Sequence, residues 1–454
     1  MTQPTLLWLR QDLRLHDQPA LAAAAQAGPV IPVYILDDDA PGPWAIGGAQ
    51  RWWLHHSLAA LDHDLSAKGS RLILRRGETV ATLRALLEET GATGVHAIRH
   101  YEPWWRNAEA ALDDCLTLYD GNHLARIEEV VTGGGTPFKV FSSFWRALHA
   151  HLPPPAPLPV PHTIAAPSPW PKSDRLADWE LLPTSPDWAT RFAEDWTPGE
   201  AEALAKAKHW QQEVAHYERR RNLPAEEGTS RLSPHLHHGE VSPRTVYHAL
   251  GHSAEAAAFM RELAWRDFTA GVLLALPDYG DTNGRPRYDA LPWRKDAAAK
   301  RDLAAWQRGH TGYPIVDAGM RQLWATGWMH NRVRMIAASF LVKHLLIDWR
   351  EGERWFWDCL VDADYGNNAV NWQWVAGTGV DANMFGRIMA PLSQSEKFDA
   401  ADYIRSWVPE LAGLSDAAIH DPDAHDARPK GYPAKIVGHR EGRERALAAA
   451  ATLR

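Results

Sequence analysis

Between Thr326 and Trp374 the chain sets polar side chains among tryptophans. Asn331, Arg332, Arg334, Asp362, Asp364 and Asn368 are interleaved with Trp328, Trp349, Trp355, Trp357, Trp372 and Trp374. A buried charge is costly unless it is paired. Arg334 with the acidic pair Asp362 and Asp364 therefore reads as a set built around something polar and flat. An aromatic cofactor held between helices fits that description best. Trp372 and Trp374 flank Gln373 and point different ways, so one can face a cofactor and the other a ligand.

Other stretches carry compatible chemistry. Tyr217 and the arginines at 219 to 221 precede GTSRLSPHLHHGEVSPR at 228 to 244. Gly228, Thr229 and Ser230 lead into an expected helix whose entry offers hydroxyls and free N–H groups, a site for a pyrophosphate. The plainer reading makes Thr229 or Ser230 only an N-cap. The histidines at 235, 237 and 238 lack partner ligands at metal spacing, and no metal is assigned. Glu262 and Trp265 share one helix face at i,i+3, and Asn331 and Met335 share another at i,i+4. A carboxylate, an amide, an indole and a thioether could line one pocket that stacks on a base and bonds its edge. Taken singly, each is better explained by ordinary packing.

The elements that position these groups fall into two kinds. Apolar strands are expected at 5–10, 29–36, 71–74 and 94–98, with helices at 17–27, 49–67 and 79–90. Short strands alternating with helices imply a parallel sheet covered on both faces. Its ligands belong beyond the carboxyl ends of the strands, where Arg10-Gln11-Asp12, Asp37–Asp39 and His100-Tyr101-Glu102 fall. No G-x-G-x-x-G follows the first strand, which argues against a classical dinucleotide site. A proline-rich stretch from Pro153 to Pro171 reads as a surface linker. From about Glu200 onward the spacing is helical throughout. The chain of 454 residues is long enough for two or three domains, with 45% hydrophobic and 23% charged residues and 23 tryptophans. Two cysteines exclude a disulfide framework and a four-cysteine cluster held by this chain alone, and fit a reducing cytoplasm. A net charge of −8 argues mildly against nucleic acid, but a local basic face suffices for phosphate binding. No run of about 18 apolar residues is present, so no membrane partner is expected.

Taken together, LLWLRQDLRLHDQPAL, GTSRLSPHLHHGEVSPR, TGYPIVDAGMRQLWATGWMHNRVRM, NWQW and EKFDAADYIRSWVPEL resemble the photolyase/cryptochrome flavoproteins along nearly the whole chain. Within that family the chain looks most like the enzymes that use light to repair cyclobutane pyrimidine dimers in UV-damaged DNA. The resemblance implies an α/β antenna domain at 1–130, an interdomain linker at 131–198 and an all-α FAD-binding domain at 199–454. It places Tyr217 and Thr229, Ser230, Arg231, Leu232 and Ser233 on the phosphates and ribityl chain of a U-shaped FAD. It places Asp362, Ala363 and Asp364 beside the flavin and adenine, with Arg334 paired to Asp362. Asn368 falls at the position facing flavin N5, where an amide accepts from N5–H and favours reduced states. Electrons are expected to reach the flavin through Trp372, Trp349 and Trp293. The lesion pocket is expected at Glu262, Trp265, Asn331, Met335 and Trp374, with Glu262, Asn331 and Asn368 closest to the chemistry. Arg221, Arg332 and Gln394 match DNA-contacting positions.

Two features select within the family. The (6-4) enzymes place a pocket histidine where this chain has Asn331 beside His330. Plant sensory cryptochromes carry Asp where this chain has Asn368. Both favour dimer repair over (6-4) repair or blue-light sensing, which are the alternatives. Met389, Ala390 and Ser395 replace the more usual Phe, Asn and Gly in the 388–399 segment. Arg51 and Glu102 resemble the pocket of a deazaflavin-type antenna, favouring 8-hydroxy-deazaflavin over methenyltetrahydrofolate or FMN as second chromophore. A monomer is expected.

Overall fold

A computed structural model describes residues 3–251, 254–382 and 388–453. The first domain is built on five parallel strands: β1 Thr5–Leu9, β2 Val30–Leu36, β3 Ile73–Arg76, β4 Val95–Ile98 and β5 Leu116–Tyr119, in the order β3-β2-β1-β4-β5. β1 is buried at every position, as an apolar run at the centre of a doubly covered sheet must be. Helices α1 Pro19–Ala27, α2 Gly48–Ser66, α3 Thr79–Thr90 and α4 Pro103–Ala111 connect the strands. The sequence reading found four strands and missed β5. Its four residues, LTLY, are only partly buried, so they carry neither a full apolar run nor a clean alternation.

The second domain is helical. Its largest pieces include Glu200–Glu213, Ala257–Ala275, Pro314–Thr326, Trp349–Cys359 and Tyr365–Ala376. One apolar core runs through these helices and takes in Phe141, Phe144 and Leu148 of helix α5 (Phe141–Leu148). By packing, α5 therefore belongs with the helical core, although it lies in the stretch read as linker.

The two domains are bolted together by buried polar groups. The Asp17 carboxylate receives Arg244 Nη2 at 2.9 Å and Nε at 3.1 Å, and also the Ser242 hydroxyl. Glu240, fully buried, receives Trp53 Nε1 at 3.0 Å. Gly239 adopts φ +68° against the backbone of Gln11 and Asp12, and any β-carbon there would overlap that backbone. The two domains are thus held in one fixed arrangement.

Candidate active site

The helix boundaries set the site residues. Gly327 in the left-handed conformation ends the Pro314–Thr326 helix. Three residues later His330 Nδ1 accepts from Arg332 N at 3.2 Å and starts the Asn331–Ser339 helix. That helix projects Asn331, Arg334 and Met335 to one side. Asp364 caps Tyr365–Ala376 by accepting from Asn367 N at 2.7 Å. One carboxylate therefore both begins the helix and faces the cavity.

These helices and Ala257–Ala275 enclose two adjoining cavities of about 280 and 300 Å³. Glu262, Trp265, Asn331, Arg334, Asp362 and Asp364 line both. The first extends to Arg221, Arg332, Met335, Ala363, Asn368, Trp372 and Trp374. The second runs back to Tyr217 and to all five residues from Thr229 to Ser233. The structure thus brings together most of the residues singled out in the sequence. Among the residues singled out in the helical domain, Trp293, Trp349 and Gln394 are the exceptions: none lines either cavity, and Gln394 sits half-buried in the Pro391–Lys397 helix. In that helix Ser395 is buried with its hydroxyl 2.7 Å from His420 Nδ1, so the unusual serine has a packing partner.

Some local expectations need correction. No helix opens at Gly228: helical residues begin only at Ser233 and end at His237, and Leu232 is the N-cap without a side-chain cap. Arg231 adopts φ +51° and its guanidinium lies 4.3 Å over Trp196. Thr229 and Ser230 are therefore neither N-caps nor helix residues: Ser230 Oγ accepts from Leu232 N at 3.3 Å, and both residues line the second cavity. The three histidines that follow take protein partners: His235 with Glu240 at 2.5 Å, His237 with Gln50 at 3.1 Å and His238 with the Val361 carbonyl at 3.2 Å.

Electrostatics are concentrated on one wall. Arg334 donates to both Asp362 oxygens, at 3.1 and 2.9 Å, and through Nε to the Met329 carbonyl at 2.7 Å. The Asp362 side chain is 4% exposed, so the bidentate pair holds a nearly dry carboxylate. Asn368 Nδ2 donates to the Glu353 carbonyl at 3.1 Å. That bond fixes the amide, leaving Oδ1 as its free acceptor on a residue that lines the cavity. Trp372 is buried on Gly352, where a β-carbon would overlap its ring, and meets Phe356 at 4.9 Å and Trp306 at 6.2 Å between ring centroids. Trp349 stands one helical turn before Gly352 and donates to Asn283 at 3.0 Å. Trp293 is half-buried against the same core.

At the mouth, Glu262 pairs with Arg221 at 2.6 Å, and Arg332 donates to Asn222 at 2.6 Å. Burial, then the charges of Arg332 and Arg334, hold His330 down at about 4, so it is neutral at physiological pH. It serves as a cap and not as an acid, consistent with Asn331 taking the exposed position beside it. Asn367 and Asn371, absent from the sequence reading, also line both cavities. Their i,i+4 spacing on the helix that carries Asn368 was the available signal.

A third cavity of about 250 Å³ lies at the carboxyl ends of β1 and β2, lined by Arg10, Gln11, Asp37, Trp104 and Trp105 among others. Its wall includes His237, which also lines the second cavity of the helical domain. The two antenna candidates do not line it: Arg51 is engaged with Asp38 at 2.5 Å, and Glu102 is buried elsewhere, with His100 at 3.8 Å. Their neighbours Gln50 and Trp104 point in instead. Burial first, and then the Asp364 carboxylate, push Glu102 up from 4.5 to about 7. A carboxyl raised on folding stabilises the protein fully below pH 4.5, and that contribution is lost as pH rises through 7. Glu102→Gln is therefore expected to lose less stability than the parent between pH 5 and pH 8, measured by urea unfolding at each pH; parallel curves would refute this.

Comparison with known proteins agrees with this architecture. Residues 5–162 match the family model described as DNA photolyase, and residues 259–452 match the FAD binding domain of DNA photolyase. The chain is 49% identical to a deoxyribodipyrimidine photo-lyase of Agrobacterium fabrum, covering 100% of this chain and 98% of that one. It is 34% identical to cryptochrome-1 of Arabidopsis thaliana, covering 97% of this chain and 69% of the plant protein. The crystal structure of a bacterial class III photolyase from Agrobacterium tumefaciens superposes with a TM-score of 0.94 at 48% identity, covering 100% and 98% of the two chains. An archaeal photolyase from Sulfolobus tokodaii, solved with two FAD molecules, gives 0.84 at 30% identity, covering 99% and 100%. An α/β domain on a helical domain, with a paired carboxylate and an oriented amide in the cavity between helices, defines a flavin-binding light enzyme. The chain belongs to the DNA photolyase family, with cryptochromes as its relatives. Its cofactor is FAD, which the donor set fits: hydroxyls and backbone at one end, a fixed amide oxygen and a neutralised acid at the other.

Proposed function

We propose that this protein repairs cyclobutane pyrimidine dimers in UV-damaged DNA, a carbon–carbon lyase reaction driven by light. The observation that carries the reading is one continuous wall: Trp265, Trp374, Glu262 and Asn331 stand around the cavity into which Asn368 and the Arg334–Asp362 pair also face. FAD, when reduced and excited by blue light, supplies the electron that opens the cyclobutane ring and receives it back. The protein does the positioning. Trp265 and Trp374 stack on the dimer, flipped out of the helix. Glu262 and Asn331 bond the pyrimidine edges, and Arg221, 2.6 Å from the Glu262 carboxylate, holds it in place. Arg221 and Arg332 also give the mouth the positive charge that a phosphate backbone needs, despite the net charge of the whole chain. Asn368 offers its amide oxygen to the cofactor, with Glu353 fixing its orientation. Trp372, Trp349 and Trp293 serve as the electron relay, and the short approach of Trp306 to Trp372 offers a branch. The β-sheet cavity is the place for a second, light-gathering chromophore. Arg10, Asp37 and the Trp104–Trp105 pair supply a cation, an anion and aromatic faces, which suits a flat polar heteroaromatic such as a deazaflavin.

The test is illumination of chemically reduced protein with a dimer-containing oligothymidine, following the return of thymine absorbance. Recovery that needs both light and FAD supports repair. No recovery, with FAD bound and reducible by light, supports the sensory alternative. Trp265→Ala is expected to weaken binding of the dimer oligonucleotide by roughly five- to 150-fold, since base–aromatic stacking contributes about 1–3 kcal/mol. FAD content should be unchanged. Equal affinity for the dimer would remove Trp265 from the pocket.

A further inference from the structure

Trp265 has a partner behind it. The Phe141 ring lies against one of its faces, with centroids 4.0 Å apart and planes within 5°. Phe268 closes the cluster, edge-on to Trp265 at 5.3 Å and to Phe141 at 5.7 Å. Phe141 is 5% exposed, whereas Trp265 is half-buried and reaches both cavities. Phe141 is also tied through its backbone: its N–H donates to the Asp381 carboxylate at 3.1 Å. Asp381 lies just beyond the helix that carries Trp374. A residue at the start of α5 is thus braced by its ring on one stacking tryptophan and by its amide on the segment after the other.

An indole stacked on one side has only its other face to offer. We infer that Phe141 is a positioning residue for lesion recognition: it fixes the plane of Trp265 and its spacing from Trp374, so that the dimer meets a preset gap. A mobile indole would lose rotamer freedom on binding, and a preset one does not. The packing is specific, because parallel rings at this spacing restrain tilt, which an aliphatic side chain of similar volume would not. The inference rests on the assignment of Trp265 to the lesion pocket.

The experiment uses full-length, FAD-loaded protein and measures dark binding of a dimer-containing oligothymidine and of its undamaged counterpart. Phe141→Leu and Phe141→Tyr are each made in the parent and in Trp265→Ala. In the parent, Phe141→Leu is expected to weaken dimer binding roughly two- to tenfold, the range of an aromatic pair, with undamaged affinity and FAD content unchanged. Phe141→Tyr, which keeps the stacked ring, should restore it. In Trp265→Ala, Phe141→Leu should have no further effect, because a residue that acts through Trp265 is silent once Trp265 is gone. An equal loss in both backgrounds, or failure of the tyrosine to restore binding, would make Phe141 a general support of the fold and overturn the inference. A silent Phe141→Leu alongside a weakened Trp265→Ala would overturn it alone. A silent Trp265→Ala would overturn the lesion assignment and the inference together.

Discussion

Trp372→Phe is expected to abolish light-driven reduction of oxidised FAD while leaving dimer repair by chemically reduced protein intact. The indole of Trp372 sits between Phe356 and Trp306 and over Gly352, against the cavity that Asn368 lines. A phenyl ring fills most of that space, so the change costs on the order of 1 kcal/mol of stability. It removes, however, the one ring at that position that gives up an electron readily. Repair starts from cofactor already reduced and needs no relay. The two assays, photoreduction under blue light with an external donor and thymine recovery after dithionite, must therefore separate. If both survived, electrons would reach the cofactor by a route that bypasses Trp372; if both failed, the ring would have a structural role at the site.

Arg334→Met should have the larger effect on the protein itself. Arg334 is the bidentate partner of a carboxylate that is 4% exposed, and its Nε also holds the Met329 carbonyl. Removing the cation leaves Asp362 buried and uncompensated, and breaking such a pair costs about 3–5 kcal/mol. Methionine approximates the volume, so the loss is electrostatic and not a cavity effect. FAD retention should fall with it, because the Asp362 carboxylate would lose the partner that fixes its orientation in the cavity wall. Unfolding in urea and FAD release on gel filtration check the two halves. The double variant Arg334→Met with Asp362→Asn should recover part of the stability, since no charge is then left stranded. A single variant as stable as the parent would show that Asp362 finds water or another cation.

The chemistry-bearing residues were legible because their types conflict with burial. Arg334 and Asp362 in an otherwise aromatic stretch had to be paired, and they are. Helical spacing put Glu262 with Trp265 and Asn331 with Met335 on shared helix faces, and the resemblance to the family brought the two faces into one pocket. The alternating pattern gave the sheet up to β4 for the same reason: central parallel strands are apolar runs. What was not legible depended on contacts distant in sequence. Nothing in YEPWW says that Glu102 turns to the Asp364 side while Trp104 and Trp105 face the sheet-end cavity. The backbone of Arg231, with positive φ, breaks the expected link between GTS and a helix start. Phe141 looked like one aromatic among several in VFSSFW, and only the fold brings it 124 residues along the chain to Trp265.

The buried bolts between the domains also constrain ancestry and engineering. Asp17 answers Arg244, Trp53 answers Glu240, and the Gln11–Asp12 backbone demands a glycine at 239. Each pair is split between the two halves of the chain, so a crossover between them severs all three at once. A chimaera that joined this N-terminal half to another relative's C-terminal half would strand a carboxylate and press a side chain into backbone, unless the three partners were inherited as a set. The halves of this molecule are therefore separable on a diagram but not in a gene.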